Sequence, residues 1–169
     1  LAADGLLVRR QGKGTFVVEH TAADVLFRFF QLQDHAGRPI KPASPPASAE
    51  RIPATREARD ALALDRGADV IVIHRLRYDG KTPIITETIT LPDDLFSALA
   101  GRTDLPNTLY DLFQKRFGVL VTRADERITP VLATSTQAAD LGVLVGSPLL
   151  KIERIAFGLD NRPIEWRVS

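Results

Sequence analysis

Short runs of alternating apolar and β-prone residues, separated by glycines, dominate the chain. Near its start, Leu6 to Val8 and Thr15 to Val18 flank Arg9, Arg10, Gln11, Gly12, Lys13 and Gly14. Glycines two apart supply the positive φ of a tight turn, so this stretch predicts a β-hairpin. Val25 to Leu32, rich in Phe and Leu, fits a strand or a short helix equally well. Four prolines between Pro39 and Pro46 then bar a central place in a sheet and predict an irregular crossing within one domain.

From Thr55 onward the pattern is written twice. Thr55, Ala58, Gly67, Val70, Ile73, Arg75, Tyr78 and Pro83 are echoed by Ser135, Ala138, Gly146, Leu149, Ile152, Arg154, Phe157 and Pro163, with single-residue shifts. Each copy predicts a short helix capped by Thr55 or Ser135, a glycine break, and a β-hairpin turning near Asp79 to Lys81 or Asp160 to Arg162. Between the copies, Pro92 to Pro106 reads as loop. Leu109, Leu112, Phe113 and Phe117 then share one helical face, behind a capping-box-like Thr108 and Asp111 and ahead of a terminating Gly118. Leu120 to Leu132 reads as a further strand. The expected class is α+β with a mostly antiparallel sheet.

Composition narrows the function. The chain has 169 residues, 44% hydrophobic and 25% charged, enough for one domain with a proper core. Lys plus Arg number 22 against 21 acids, a net charge of +1, so no global basic field draws the chain to nucleic acid. Any such affinity is local to Arg9, Arg10 and Lys13, whose charges suit a phosphate groove. Without cysteine there is no disulfide or thiolate metal site, and His20, His35 and His74 lack metal-ligand spacing. No cofactor is implied. No apolar run approaches a membrane span, and the expected compartment is the cytoplasm.

Arg75 and Arg77 alternate along one strand and so face the same way, as a fork for a carboxylate or phosphate. The alternatives are that both lie on the solvent face of an edge hairpin, or that they are structural partners of acids such as Glu87 or Glu126. His74 points to the opposite side, and Trp166 is expected to bury its ring in the sheet's other layer. Asp125 and Glu126, as strand neighbours, point apart and make no catalytic acid pair.

Two resemblances sharpen this. RRQGKGTFV resembles the wing of the winged helix-turn-helix domain of GntR-family bacterial transcription regulators. The resemblance implies that Gln11 and Gly12 approach the DNA minor groove, with Arg9, Arg10 and Lys13 near phosphates. IHRLRYDGKTPIITETITLP, LPNTLYDLF, RADERITP and LLKIERIAFGLDNRPIEWRVS, in that order, resemble the UTRA effector-binding domain of the family's HutC branch, which shares its fold with chorismate lyase. That resemblance divides the chain into a wing remnant, residues 1–18, and an effector domain, 23–169. It implies an effector site of Arg75, Arg77, Thr108 and Tyr110, with Glu87 and Glu165 accepting hydrogen bonds from ligand hydroxyls or amines. Thr108 stands where the family's sugar-phosphate binders have Ser, and Arg28 near where they often have a small Ser before Phe. The implied protein is a non-enzymatic, homodimeric regulator whose small anionic effector, a phosphorylated sugar or a carboxylate, modulates operator binding by the full-length chain. The alternative is a chorismate lyase-like enzyme acting on a small carboxylate.

Overall fold

The two written copies fold as like units that share one sheet. The computed structural model describes residues 32–169 and, before them, the backbones of two short strands, β1 (Leu7–Arg10) and β2 (Gly14–Val17). These two pair antiparallel from Leu7↔Val17 to Arg10↔Gly14, as the expected hairpin requires. Its tip, Gln11, Gly12 and Lys13, lies outside the described residues, as do the side chains of Arg9 and Arg10 and the segment 25–31 with Arg28.

The first unit is β3 (Ala49–Pro53), α1 (Arg56–Leu62), β4 (Asp69–Asp79) and β5 (Thr82–Pro92). Then come α2 (Asp93–Phe96), a 3-10 turn (Ser97–Leu99) and α3 (Leu109–Phe117). The second unit is β6 (Arg123–Leu132), α4 (Ser135–Leu141), β7 (Pro148–Phe157) and β8 (Pro163–Val168). The strands form one six-stranded sheet in the order β3-β4-β5-β8-β7-β6, antiparallel throughout. The units therefore meet at the β5–β8 seam, which is only three residue pairs long, Thr88↔Val168 to Thr90↔Trp166. The α+β antiparallel class read from the sequence is the observed one.

Local chemistry explains the helix ends and corrects two expectations. Thr55 caps α1, its hydroxyl accepting from the Ala58 amide at 3.1 Å. The matching cap on α4 is Thr134, not Ser135. Thr134 accepts from the Gln137 amide while the Gln137 side chain accepts from the Thr134 amide, a reciprocal pair that Ser135, one residue later, cannot close. At α3, Thr108 is the N-cap but its side chain makes no capping hydrogen bond. Asp111 closes no box either, because its carboxylate pairs with Lys115 one turn on. Gly118 ends α3 at φ 66°, in the left-handed region where a side chain is disfavoured.

The region 92–106, expected as loop, contains α2 and the 3-10 turn, and β3 emerges from what read as the end of the proline crossing. The crossing itself stays irregular, bridged at Ala43 to Tyr78 of β4 and at Ala47 to Leu105 ahead of α3. Strand alternation sends Ile71, Ile73, Ile89, Leu91 and Ala156 to one face, and the register shift between β7 and β8 brings Ile164, which has no partner in the ladder, to the same face. There they form a core with Phe96, Leu99, Leu109 and Phe113 from α2, the 3-10 turn and α3. The Phe96 and Phe113 rings lie 4.5 Å apart between centroids. On the other face α1 packs Ala58 and Leu62 over Val70 and Val72, with half-buried Trp166 against them, in the layer expected for that ring.

Candidate functional site

The face that carries the main core becomes polar toward the far end of β4. Ile71 and Ile73 are followed, two residues at a time, by Arg75 and Arg77, which are buried at 6% and 2% exposure. A buried guanidinium needs partners for its donors, and here the two arginines divide. Arg77 Nε donates to Glu87 Oε1 at 2.8 Å in an ion pair closed to solvent. Arg75 lies directly across from Glu87 in register yet donates only through Nη1, to the Asn107 carbonyl at 3.0 Å. Its Nε and Nη2 are buried and find no hydrogen-bond partner among the described residues.

A chain of buried charge continues across the seam. Arg167 on β8 donates to Glu87 Oε2 at 3.2 Å and to Glu165 Oε2 at 2.8 Å, and the Tyr110 hydroxyl on α3 donates to Glu165 Oε1 at 2.7 Å. Both carboxylates are fully buried. Alternation along β8 places Glu165 and Arg167 on the Arg75 face, one step from Arg154, which is cross-strand to Arg167 and pairs with Glu126 through Nε at 2.7 Å.

The electrostatics follow from burial opposed by neighbours. Burial alone would raise the Glu87 carboxyl, but Arg167, Arg77 and Arg75 together outweigh it and hold the group below its ordinary value. Burial pushes Arg75 down to about 10, offset by Glu87 and reinforced by Arg77 and Arg167. Burial and Glu165 raise the Tyr110 hydroxyl, which keeps it a donor. For Arg167, burial is overcome by Glu165 and Glu87, which raise its pKa and fix its charge. Arg75, Arg77 and Arg167 stand against Glu87 and Glu165, so this group carries one surplus positive charge, and the least satisfied cation in it is Arg75.

The N-terminus of α3 adjoins the same arginines. Asn107, one residue ahead of Thr108, accepts from Arg77 Nη1 at 3.0 Å through Oδ1 and from Arg75 through its carbonyl. Thr108 is half-buried, its hydroxyl not engaged in capping, at a helix start whose first amides and dipole favour an anion. The fold thus gathers Arg75, Arg77, Glu87, Tyr110 and Glu165 into one network, with Thr108 beside it. Arg9, Arg10, Gln11, Gly12 and Lys13 belong to the hairpin and are not placed relative to it.

Glu126 serves Arg154, not Arg75 or Arg77, while Glu87 does serve Arg77. His74 faces the other way and is exposed, its Nδ1 3.0 Å from the Thr88 hydroxyl. Sequence reasoning passed over Arg167, Arg154 and Asn107. The first had a legible signal, a Glu-x-Arg alternation on the same strand as Glu165, whereas nothing local marks Asn107. Among the described residues no cluster of metal-ligating side chains occurs, and no helix is long and apolar enough to cross a membrane.

Comparison with known proteins adds an independent line. Residues 38–169 match the model of the UTRA domain. The HTH-type transcriptional regulator Rv0792c of Mycobacterium tuberculosis is 31% identical over 172 residues, which are 98% of this chain and 62% of that protein. The HTH-type transcriptional repressor NagR of Bacillus subtilis is 27% identical over 93% of this chain and 65% of its own length. The chain thus spans a little under two thirds of these relatives. Among solved structures, the ligand-binding domain of a Bordetella bronchiseptica protein described as a GntR-family transcriptional regulator superposes with a TM-score of 0.73 at 32% identity, covering 81% of this chain and 86% of that one. PhnF of Mycobacterium smegmatis shares the fold over 99% of this chain and 73% of its own, with a TM-score of 0.70 at 21% identity.

Proposed function

Since the chain belongs to the UTRA domain family of GntR-type transcription regulators, we propose that it is the effector-binding part of a cytoplasmic regulator. A small anionic metabolite bound here modulates the DNA binding of the whole protein. The observation that carries this reading is Arg75, a buried cation with two donor nitrogens that find no partner among the described residues, beside the start of α3, which no side chain caps. Leaving buried donors unpaired costs about 1–3 kcal/mol each, a cost that a carboxylate or phosphate oxygen removes. Thr108 and the first amides of α3 supply further donors, and Tyr110 and Arg167 hold the acids in place. Glu87 and Glu165, whose oxygens each retain accepting capacity, offer the neutral part of the ligand a place for hydroxyl or amine donors.

The β1–β2 hairpin is proposed as the wing, with Arg9, Arg10 and Lys13 toward phosphates and Gln11 and Gly12 toward the groove. Relatives named as transcriptional regulators and repressors favour this function over a lyase. A thermal-shift screen of phosphorylated sugars and small carboxylates tests it. A binder present at a hundred times its Kd raises stability by about 2.7 kcal/mol, whereas a screen in which only neutral compounds raise the melting temperature contradicts an anion site.

The regulator is further proposed to be a homodimer joined through the β6–β7 face. Leu150 and Ile152 occupy the second-unit positions that Ile71 and Ile73 occupy in the first. Ile71 is fully buried under the chain's own helices, while Leu150 is 68% exposed and has exposed Ile128 and Leu132 on the neighbouring strand. Contiguous apolar surface of this kind marks a contact site, and a second copy suits the two-fold symmetry of a regulator with paired heads. Light scattering is expected to give a dimer for the wild type and a folded monomer for Leu150→Glu. A Leu150→Glu dimer would place the contact elsewhere.

A further inference from the structure

Asn107 stands between the site and the proline-rich crossing. Its Oδ1 accepts from the Ser44 amide at 3.0 Å, the Ser44 hydroxyl at 3.2 Å and Arg77 Nη1 at 3.0 Å. Its Nδ2 donates to the Pro42 carbonyl at 3.1 Å. Its own carbonyl accepts from Arg75 Nη1 at 3.0 Å and, more weakly, from Arg77 Nη2 at 3.4 Å. One half-buried side chain therefore joins both arginines of β4 to residues 42–44, more than sixty positions away in sequence. Residues 42–44 have no helix or ladder of their own. Besides Asn107, they are tied down by the Ala43–Tyr78 bridge at the end of β4.

Nη1 and Nη2 of Arg77 thus both meet neutral acceptors of Asn107. An anion that takes the free Nε and Nη2 of Arg75 and reaches Arg77 as well meets Asn107 as its competitor. A charged oxygen adds to that hydrogen bond a Coulomb attraction to the guanidinium that a neutral amide oxygen lacks, so the anion displaces the amide, and the Asn107 side chain, pushed aside, takes its bonds to Ser44 and Pro42 with it. We infer that Asn107 is an occupancy latch: anion binding across Arg75 and Arg77 takes Arg77 from Asn107 and frees residues 42–44 from the site. This rests on the anion-site reading above and adds how occupancy leaves the pocket. The freed segment lies on the path between the β1–β2 hairpin and the sheet, so its release is the natural message to whatever the hairpin contacts. An electrostatic exchange of this kind shifts a population only by the difference in anion affinity between the latched and released forms.

The Ser44 amide reports the latch directly, because its hydrogen-bond acceptor is Asn107 Oδ1. Amide exchange of the 15N-labelled 169-residue chain is followed by NMR with inorganic phosphate at tens of millimolar, against sodium chloride at matched ionic strength. The expected result is that phosphate shifts the Leu109, Tyr110 and Asp111 amides at the start of α3 and speeds Ser44 exchange by roughly tenfold, the equivalent of one hydrogen bond. Shifts at α3 with Ser44 exchange unchanged would overturn the latch and leave the anion site standing. No shift at α3 would overturn the anion reading and the latch with it.

Asn107→Ala and Asn107→Asp give a second readout. With alanine, Ser44 exchange is expected to be fast with or without phosphate, and phosphate to bind at least as tightly as in the wild type. With aspartate, whose carboxylate occupies Arg77 permanently, phosphate is expected to bind about tenfold more weakly. An alanine variant that loses phosphate affinity as the aspartate variant does would show Asn107 to be scaffold for the arginines and overturn the inference.

Discussion

Replacing Arg167 with methionine is expected to destabilise the domain by about 3–5 kcal/mol, the range seen when one partner of a buried ion pair is removed. Arg167 serves two carboxylates at once, Glu87 at 3.2 Å and Glu165 at 2.8 Å, both without solvent exposure. After the change Glu87 keeps Arg77 and the charge of Arg75, and Glu165 keeps the Tyr110 hydroxyl. Methionine fills much of the volume, so the loss reports charge more than packing. Denaturant melts of both proteins measure it, and a loss below about 1 kcal/mol would mean that the network contributes little to folding.

The same pair fixes the sign of the pH response. Glu87 titrates below its ordinary value in the folded chain. Its contribution is therefore complete above the unfolded carboxylate pKa of roughly 4.3 and is lost as pH falls through the folded value. The wild type is expected to hold its stability down to about pH 4.5 and lose it in more acid solution, whereas Arg167→Met, in which Glu87 has lost the strongest of the charges that hold it down, is expected to lose less stability over the same acid range.

Much of this arrangement was legible from alternation alone. The repeat, the hairpins after Gly67 and Gly146, and the shared face of Arg75 and Arg77 depend on local periodicity, which a sequence displays openly. Ser135 for Thr134 was a one-residue error within a Thr-Ser-Thr run, where every residue can cap and only the Gln137 side chain decides. The capping box at Thr108 failed because a carboxylate at that spacing also lies one turn ahead of Lys115, which holds it. What was not legible is long-range choice. Nothing in the text around Arg75 and Arg77 says that one is held by Glu87 and the other only by a carbonyl. That division depends on where Asn107 and Arg167 arrive, thirty and ninety residues later.

Replacing Arg75 with alanine is expected to separate binding from folding. In the free protein Arg75 makes one hydrogen bond, to a carbonyl, and leaves two buried donors unpaired. Its removal therefore takes away an unfavourable feature along with that bond, and the melting temperature should stay within a few degrees of the wild type. Arg77→Ala, in contrast, strips Glu87 of a buried partner at 2.8 Å and should lower stability by several kcal/mol. For the ligand the order reverses. Losing Arg75 removes charge-assisted contacts that contribute about 1.5–3 kcal/mol each, so anion affinity should fall by about one to two orders of magnitude or more.

The most direct measurement is a calorimetric titration of inorganic phosphate, and then of the tightest anion from the thermal-shift screen, into wild type and Arg75→Ala, with ligand-free melting curves of both. An anion site at Arg75 predicts a large loss of affinity with little change in melting temperature. Unchanged affinity together with a marked fall in melting temperature would return Arg75 to the scaffold and contradict the site.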